Sequence, residues 1–356
     1  MKGRGLLGIR SLTPSFCKEC EKGGSTVKQD TLRKLISVGM IAALAVFFSI
    51  KSPYFLTSSN LSAIVRDSAV AGIVGIGITY VILTAGIDLS TGSVMALTGM
   101  VMANIYVYTL IPLPIMVLVG LIVGIVCGII NGVVVTKLKL PEFIATLATM
   151  GIYRSLTYVI AVRDAAGSIQ SVQMRATGFT FLGGGVNGIY YVVIAMVVLS
   201  LLGQFILKKT RFGTNLYAVG SNFKAAQLSG INTDRTRIGA FIVTGLLAAV
   251  GGIFSVARLQ STTVLLGSSF NFDPIAAAVI GGCALDGGDG DIIGTFLGAI
   301  FMAALDNGIL KLQLNTAYQY VIKGIIIILV VIFDAWYRGF MQTRAQKKKA
   351  VKEAAV

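Results

Sequence analysis

Long apolar runs recur along this chain from Leu35 to Trp336 with only short polar breaks between them, and that pattern restricts it to one class of fold. Only 13% of the 356 residues are charged and 55% are hydrophobic, where a soluble domain carries about a quarter charged residues. At about 20 residues per span, the length accommodates eight to ten transmembrane helices. It leaves no room for a large soluble domain, so any ATPase, redox or solute-capturing domain has to be on another chain.

The runs read in order as Leu35 to Ile50, Leu61 to Leu83, Val94 to Tyr108, Ile115 to Thr136, Glu142 to Val162, Ile189 to Leu207, Ile238 to Ala257, Phe272 to Leu285, Ile292 to Leu310 and Tyr318 to Trp336. The predicted fold class is therefore an all-α polytopic membrane protein of about ten transmembrane helices. Its orientation follows from the basic residues. Eight Lys and Arg lie in residues 1–34, two at Lys137 and Lys139, six from Lys208 to Arg237 and six from Arg338 onward. Positive residues beside spans mark the cytoplasmic face, which places the N- and C-termini there. Three divisions follow: a basic, disordered tail over 1–34, a transmembrane unit over 35–336 and a second basic tail over 337–356. The net charge of +15 thus reads as a topology signal rather than as a nucleic-acid surface.

Two breaks interrupt this apolar background. The first, Thr84 to Ser93, puts Asp88 between two of the most hydrophobic runs in the chain. A charge at membrane depth costs several kcal/mol unless protein or a water-filled cavity satisfies it. Thr84, Asp88, Ser90 and Thr91 are accordingly the candidate residues of a translocation path or gate. Asp88 has two compatible roles, capping the helix that begins near Ser90 or touching solute, and capping is the favoured one. The second break, Asp286-Gly-Gly-Asp-Gly-Asp291, repeats the layout of apolar run, aspartate with glycines and Gly-rich helix start. Related halves of this kind are common in transporters. Its three carboxylates read either as a cation site or, in the favoured reading, as a solvated turn. Arg66 and Asp67 are expected at the membrane interface, with a place in the solute path as the lesser alternative.

The residues exclude other chemistries. No phosphate-loop pattern occurs, and the chain contains no histidine and no convergent nucleophile and base, so no catalytic residue and no cofactor is expected. Cys17 and Cys20 have metal or redox spacing, but without histidine or a second pair they read as part of a reduced tail, and no metal site is assigned. The polar interval 208–237 contains Asn222 to Gly230, a predicted two-turn helix stopped by a glycine. Such a helix serves either as a connector or as a peg for a cytoplasmic partner. The segment 163–188, with its run of three glycines, is a candidate docking surface on the opposite side.

Four local patterns now combine: Ala85-Gly-Ile-Asp-Leu-Ser-Thr-Gly92, Leu140-Pro-Glu-Phe-Ile-Ala-Thr-Leu147, Gly213 to Ile231, and Ala278-Val-Ile-Gly-Gly282 running on to Gly294-Thr295. In this order they resemble the integral-membrane permeases of bacterial ABC importers for ribose and other monosaccharides, over roughly residues 35–336. That resemblance implies a multi-pass protein of the cytoplasmic membrane that moves a monosaccharide or related small polyhydroxylated solute. The partners it implies are a second permease copy or paralogue, a cytoplasmic ABC ATPase and an extracytoplasmic sugar-binding protein. It further implies that Asn222, Ala225, Ala226 and Gly230 lie on a helix that couples to the ATPase. Where the family's Gly-rich segment often carries a basic residue, Asp286, Asp289 and Asp291 make this one acidic. A transporter driven by an ion gradient, with Asp88, Arg154 or the 286–291 carboxylates as coupling groups, is the alternative reading.

Overall fold

The computed structural model describes residues 23–109, 111–175, 177–186 and 188–313, together with 318, 321–325, 328, 329 and 332. Cys17, Cys20, most of the tenth apolar run and the C-terminal tail lie outside the described residues. Helix α1 spans Gly23–Lys51, so residues 23–34, expected to be irregular, are helical. The remaining helices are α2 Ser58–Leu83, α3 Thr91–Tyr108, α4 Leu113–Lys137, α5 Glu142–Val159, α6 Thr177–Gly183, α7 Tyr191–Lys209, α8 Arg211–Ser221, α9 Phe223–Leu228, α10 Thr233–Leu259, α11 Asp273–Ile280 and α12 Ile292–Lys311. Among the described residues six helices, α1, α2, α4, α7, α10 and α12, are long and apolar enough to cross a membrane. Helices α3 and α5 have 18 residues each, about 27 Å at 1.5 Å per residue, and are not among these six.

Local chemistry fixes the helix starts. Pro112 precedes α4 and Pro141 precedes α5, whose first residue, Glu142, suits the positive end of the helix dipole. Thr210, Asn222, Asn232 and Asp291 each accept a backbone N–H from the first turn of α8, α9, α10 and α12.

Helix α2 is the centre of the molecule. Every residue from Ser68 to Leu83 is buried, as in a helix enclosed on all sides. Helices α10, α12, α7 and α11 enclose it, and α10 also packs on α4. Glycines set that second contact: a Cβ at Gly124 would lie 2.4 Å from the Gly245 carbonyl oxygen, and one at Gly245 2.2 Å from that of Gly124. Backbones approach closely because small residues face each other, which is how helices associate in lipid.

Directly after α10 the chain leaves the helix. Gln260 turns it with φ 48°, and β4 (Ser261–Thr262) pairs antiparallel with β1 (Val172–Gln173). Residues 262–271 then run along α3, with Gly99 against Thr262 and Leu266 and Gly92 against Gly267 and Asn271. A second small pairing, β2 (Gly185–Val186) with β3 (Ile189–Tyr190), lies just before α7.

Candidate functional site

The 84–90 break lies directly after the buried end of α2. Thr84 closes α2 by donating to the Val81 carbonyl at 2.8 Å, and Ala85 turns the chain with φ 64°. Asp88 is 1% exposed. Its Oδ1 accepts the Ser90 backbone N–H at 2.8 Å and the Ser90 hydroxyl at 2.7 Å. From α4, Asn131 donates to Ser90 Oγ at 2.8 Å and reaches Asp88 Oδ2 at 3.4 Å. From α5, the Tyr153 hydroxyl lies 3.0 Å from Asn131 Oδ1 and 3.1 Å from the Cys127 carbonyl oxygen, and donates to one of them.

Thr84, Asp88, Ser90 and Thr91 are all buried, but only Asp88 and Ser90 are hydrogen-bonded to each other; Thr84 bonds back into α2. Thr91 donates to the Phe270 carbonyl at 2.7 Å, tying the start of α3 to the irregular 262–271 segment. The expected cap is different in detail. Asp88 does not cap the first turn of α3; it accepts from Ser90, the N-cap residue itself, and so shapes the turn that leads into the helix. Asn131 and Tyr153 were not legible as site residues, because a lone Asn and a Tyr in apolar runs carry no local signal.

Two of the groups considered for ion coupling, Arg154 and Asp291, are engaged within the fold. Arg154 donates from Nη1 to the carbonyls of Val264 and Leu266 at 2.6 and 3.0 Å. Asp291 caps α12 through Gly294 N–H at 2.6 Å and ion-pairs with Lys34 at 2.6 Å. The second break is not a free solvated turn. Gly288 N–H donates to the Leu83 carbonyl at 3.0 Å, and Tyr217 of α8 donates to the Gly290 carbonyl at 2.7 Å. Among the described residues no cluster of three or more Cys, Asp or Glu could hold a metal ion. Arg66 and Asp67 face protein: Arg66 lies over the Tyr190 ring and Asp67 ion-pairs with Arg258.

The 222–230 segment folds as expected from its residues. Asn222 accepts the Ala225 N–H at 2.9 Å and starts α9. At the other end Ile231 N–H bonds to the Ala226 carbonyl and Gly230 N–H to that of Gln227, both at 3.0 Å, with Gly230 at φ 81°. This paired closure with a left-handed glycine is the Schellman stop. Ala226 is buried, while Asn222, Ala225 and Gly230 are exposed and Leu228 is 91% exposed.

At the far end of α10 from α9, a cavity of ≈ 320 Å³ opens between α2, α10 and the 263–270 segment. Ser255, Arg258 and Thr263 supply polar groups to its wall, and Val70, Leu266 and Phe270 supply apolar ones. Sequence reading left residues 258–271 unassigned, since they contain neither a long apolar run nor a clear turn signal.

Comparison with known proteins adds to this geometry. Residues 60–331 match the family described as "Branched-chain amino acid transport system / permease component". The chain is 40% identical to the ribose import permease protein of Bacillus subtilis (strain 168) over 82% of its own length and 89% of that protein's. It is 38% identical to the ribose import permease protein of Haemophilus influenzae, covering 85% of this chain and 94% of the relative. It is also 33% identical to the xylose transport system permease protein of Escherichia coli (strain K12), covering 88% and 94%. No solved structure matches the chain.

Proposed function

Since this chain belongs to the branched-chain amino acid transport system / permease component family, we propose that it is the permease subunit of an ABC importer for a monosaccharide or related small polyhydroxylated solute. The observation that carries this reading is the similarity, over four-fifths or more of the chain, to permeases named for ribose and xylose import. Those relatives direct the substrate class toward sugars rather than the amino acids in the family's description. The cavity at Arg258 and Phe270 suits such a solute. A sugar offers hydroxyls to polar groups and a C–H face to apolar ones, and small-molecule sites are apolar concavities with a few placed polar groups.

In this reading ten spans cross the cytoplasmic membrane with both termini inside: the six long apolar helices, α3, α5, the short α11 and the predicted run from Tyr318 to Trp336. Helices α8 and α9 face the cytoplasm with the basic segment 208–237. Helix α9 docks on a partner ATPase through Leu228 and its neighbours, and the extracytoplasmic 163–188 segment meets a sugar-binding protein. The chain itself catalyses no reaction. It converts motion of the ATPase into alternating access, alongside a second permease copy or paralogue.

Reconstitution tests this directly. Liposomes holding the permease with its ATPase and binding protein should accumulate D-ribose or D-xylose only when ATP is supplied. Uptake by the permease alone, dependent on an ion gradient and indifferent to ATP, would sink the proposal and support the ion-coupled alternative.

A further inference from the structure

Two separate contacts join the α8–α9 region to the 84–90 break. On one side Arg237, near the start of α10, ion-pairs with Glu142 at the start of α5 and lies 5.8 Å from the ring centroid of Phe223 in α9. Glu142 occupies the space that a side chain at Gly86 would need: a Cβ there would fall 1.6 Å from Glu142 Oε2. One turn on, Thr146 lies 3.0 Å from the Ile87 carbonyl oxygen as a hydrogen-bond donor. The ion pair uses one nitrogen and one oxygen. Glu142 Oε2 and Arg237 Nε are both buried without a hydrogen-bond partner, so a pair built for two parallel bonds makes one. A guanidinium rotation would supply the second.

On the other side the end of α8 meets the end of α2 and the second break main chain to main chain at Gly220. A Cβ at Gly220 would lie 1.9 Å from the Leu83 carbonyl oxygen and 2.5 Å from Gly288 N. A Cβ at Gly287 would lie 2.6 Å from Ala85 N. Three segments, the end of α2, the end of α8 and the second break, meet here, and at Gly220 the nearest atoms are main chain. Contacts of this kind cannot give by a rotamer change. Displacement of α8 is passed to Leu83 and Ala85 instead of being absorbed.

We propose that the Arg237–Glu142 pair and the Gly220 junction form a two-armed relay that carries movement of α8 and α9 to the 84–90 break. The proposal rests on the reading that α9 docks the ATPase. Arg237, Glu142 and Gly220 are positioning residues, acting on the break without touching solute. Coupling of this sort passes through packed and hydrogen-bonded elements that have two arrangements, and substitutions along it change the coupling by about two- to thirtyfold.

The complete importer in liposomes, with D-ribose as solute, provides the test, read as ribose taken up per ATP hydrolysed. Arg237→Gln and Glu142→Gln should each lower that ratio about tenfold, and the double variant should be no worse than the poorer single one, because the two act through each other. Gly220→Ala should lower it by at least about tenfold and Tyr217→Phe, which removes the hydroxyl that bonds to Gly290, by about two- to threefold. Gly39→Ala, where a Cβ meets nothing within 4 Å, should leave it unchanged. A purely structural role would reduce uptake and hydrolysis together, in proportion to folded protein, and keep the ratio at the wild-type value; that result overturns the relay. Additive losses in the double variant overturn the ion-pair arm. Where Gly220→Ala does not fold, Tyr217→Phe decides the glycine arm, a wild-type ratio counting against it. Wild-type importer that takes up neither ribose nor xylose with ATP overturns the functional reading and the relay with it, whereas altered ratios beside a working wild type bear on the relay alone.

Discussion

Replacing Asp88 separates the roles a buried carboxylate can play here. The structure gives it two short bonds from Ser90 and a long one of 3.4 Å from Asn131. Asp88→Asn keeps an oxygen for Ser90 but turns an amide N–H toward the Asn131 side-chain nitrogen, a contact between two donors. The loss is one weak bond plus charge assistance on the two that remain, about 1–2 kcal/mol. Asp88→Ala removes both short bonds, at about 1.5–3 kcal/mol each for a charged acceptor, and leaves the Ser90 N–H buried and unmet. Thermal unfolding of the purified permease should therefore place Asn slightly below the wild type and Ala well below Asn. Uptake by Asp88→Asn importer should remain within about an order of magnitude of the wild type, because the turn survives. A protonating or ion-binding carboxylate behaves in the opposite way, since Asn cannot titrate. Abolished uptake in Asp88→Asn at unchanged thermal stability would refute the structural argument.

Two further outcomes test the coupling segment and the orientation. A leucine at Gly230 must adopt φ 81°, which costs an ordinary residue about 1–2 kcal/mol, so Gly230→Leu should unwind the stop of α9 and abolish stimulation of the ATPase while insertion into the membrane stays normal. Stimulation at the wild-type level would remove α9 from the coupling role. Single cysteines at Ser168 and Lys224, in a background freed of reactive cysteines, should label from outside the cell at 168 and not at 224; the reverse pattern inverts the topology.

Much of the fold was legible because burial in lipid leaves strong marks. Nine of the predicted runs coincide with α1–α5, α7, α10, α11 and α12 to within a few residues at most ends, and Asn222 and Gly230 marked α9 by caps that act locally. Boundaries strayed where the helix continues through polar residues, as α10 does from Thr233 to Arg237 before the apolar run begins. Helix α8 went unseen because its packing is made through Gly213 and Gly220, residues that read as turns in sequence. In the site, Asp88 stood out as a charge among apolar neighbours, but its partners did not. Asn131 and Tyr153 lie 43 and 65 positions away, and a contact over that distance is fixed by tertiary packing alone. The second break was found by its aspartates, yet its glycines carry close contacts: Gly287 and Gly288, with φ of 82° and 71°, lie against Ala85 and Ser221, and Gly288 N–H bonds to the Leu83 carbonyl.

Which parts of this molecule can move follows from where glycine sits, and the argument has a sign that can be measured. In a helix, Gly→Ala is favourable by about 0.5–1 kcal/mol when nothing opposes it. Gly151 on α5 meets nothing within 4 Å, so Gly151→Ala should raise the unfolding temperature of the purified permease. Gly128 on α4 is also helical, but a Cβ there would lie 2.4 Å from the Phe241 carbonyl oxygen and 2.8 Å from Ile242 Cα, both main chain of α10. The two helices would have to separate, and overpacking of that kind costs about 1–3 kcal/mol, which exceeds the propensity gain. Gly128→Ala should therefore lower the unfolding temperature although the same chemical change raises it at position 151. Equal signs at the two positions would mean that α4 and α10 are free to slide, and movement would not have to concentrate at the breaks. Opposite signs mean that α4 and α10 are locked together by backbone contact, which leaves the 84–90 and 281–291 segments, with their left-handed residues, as the places where a change of state is accommodated.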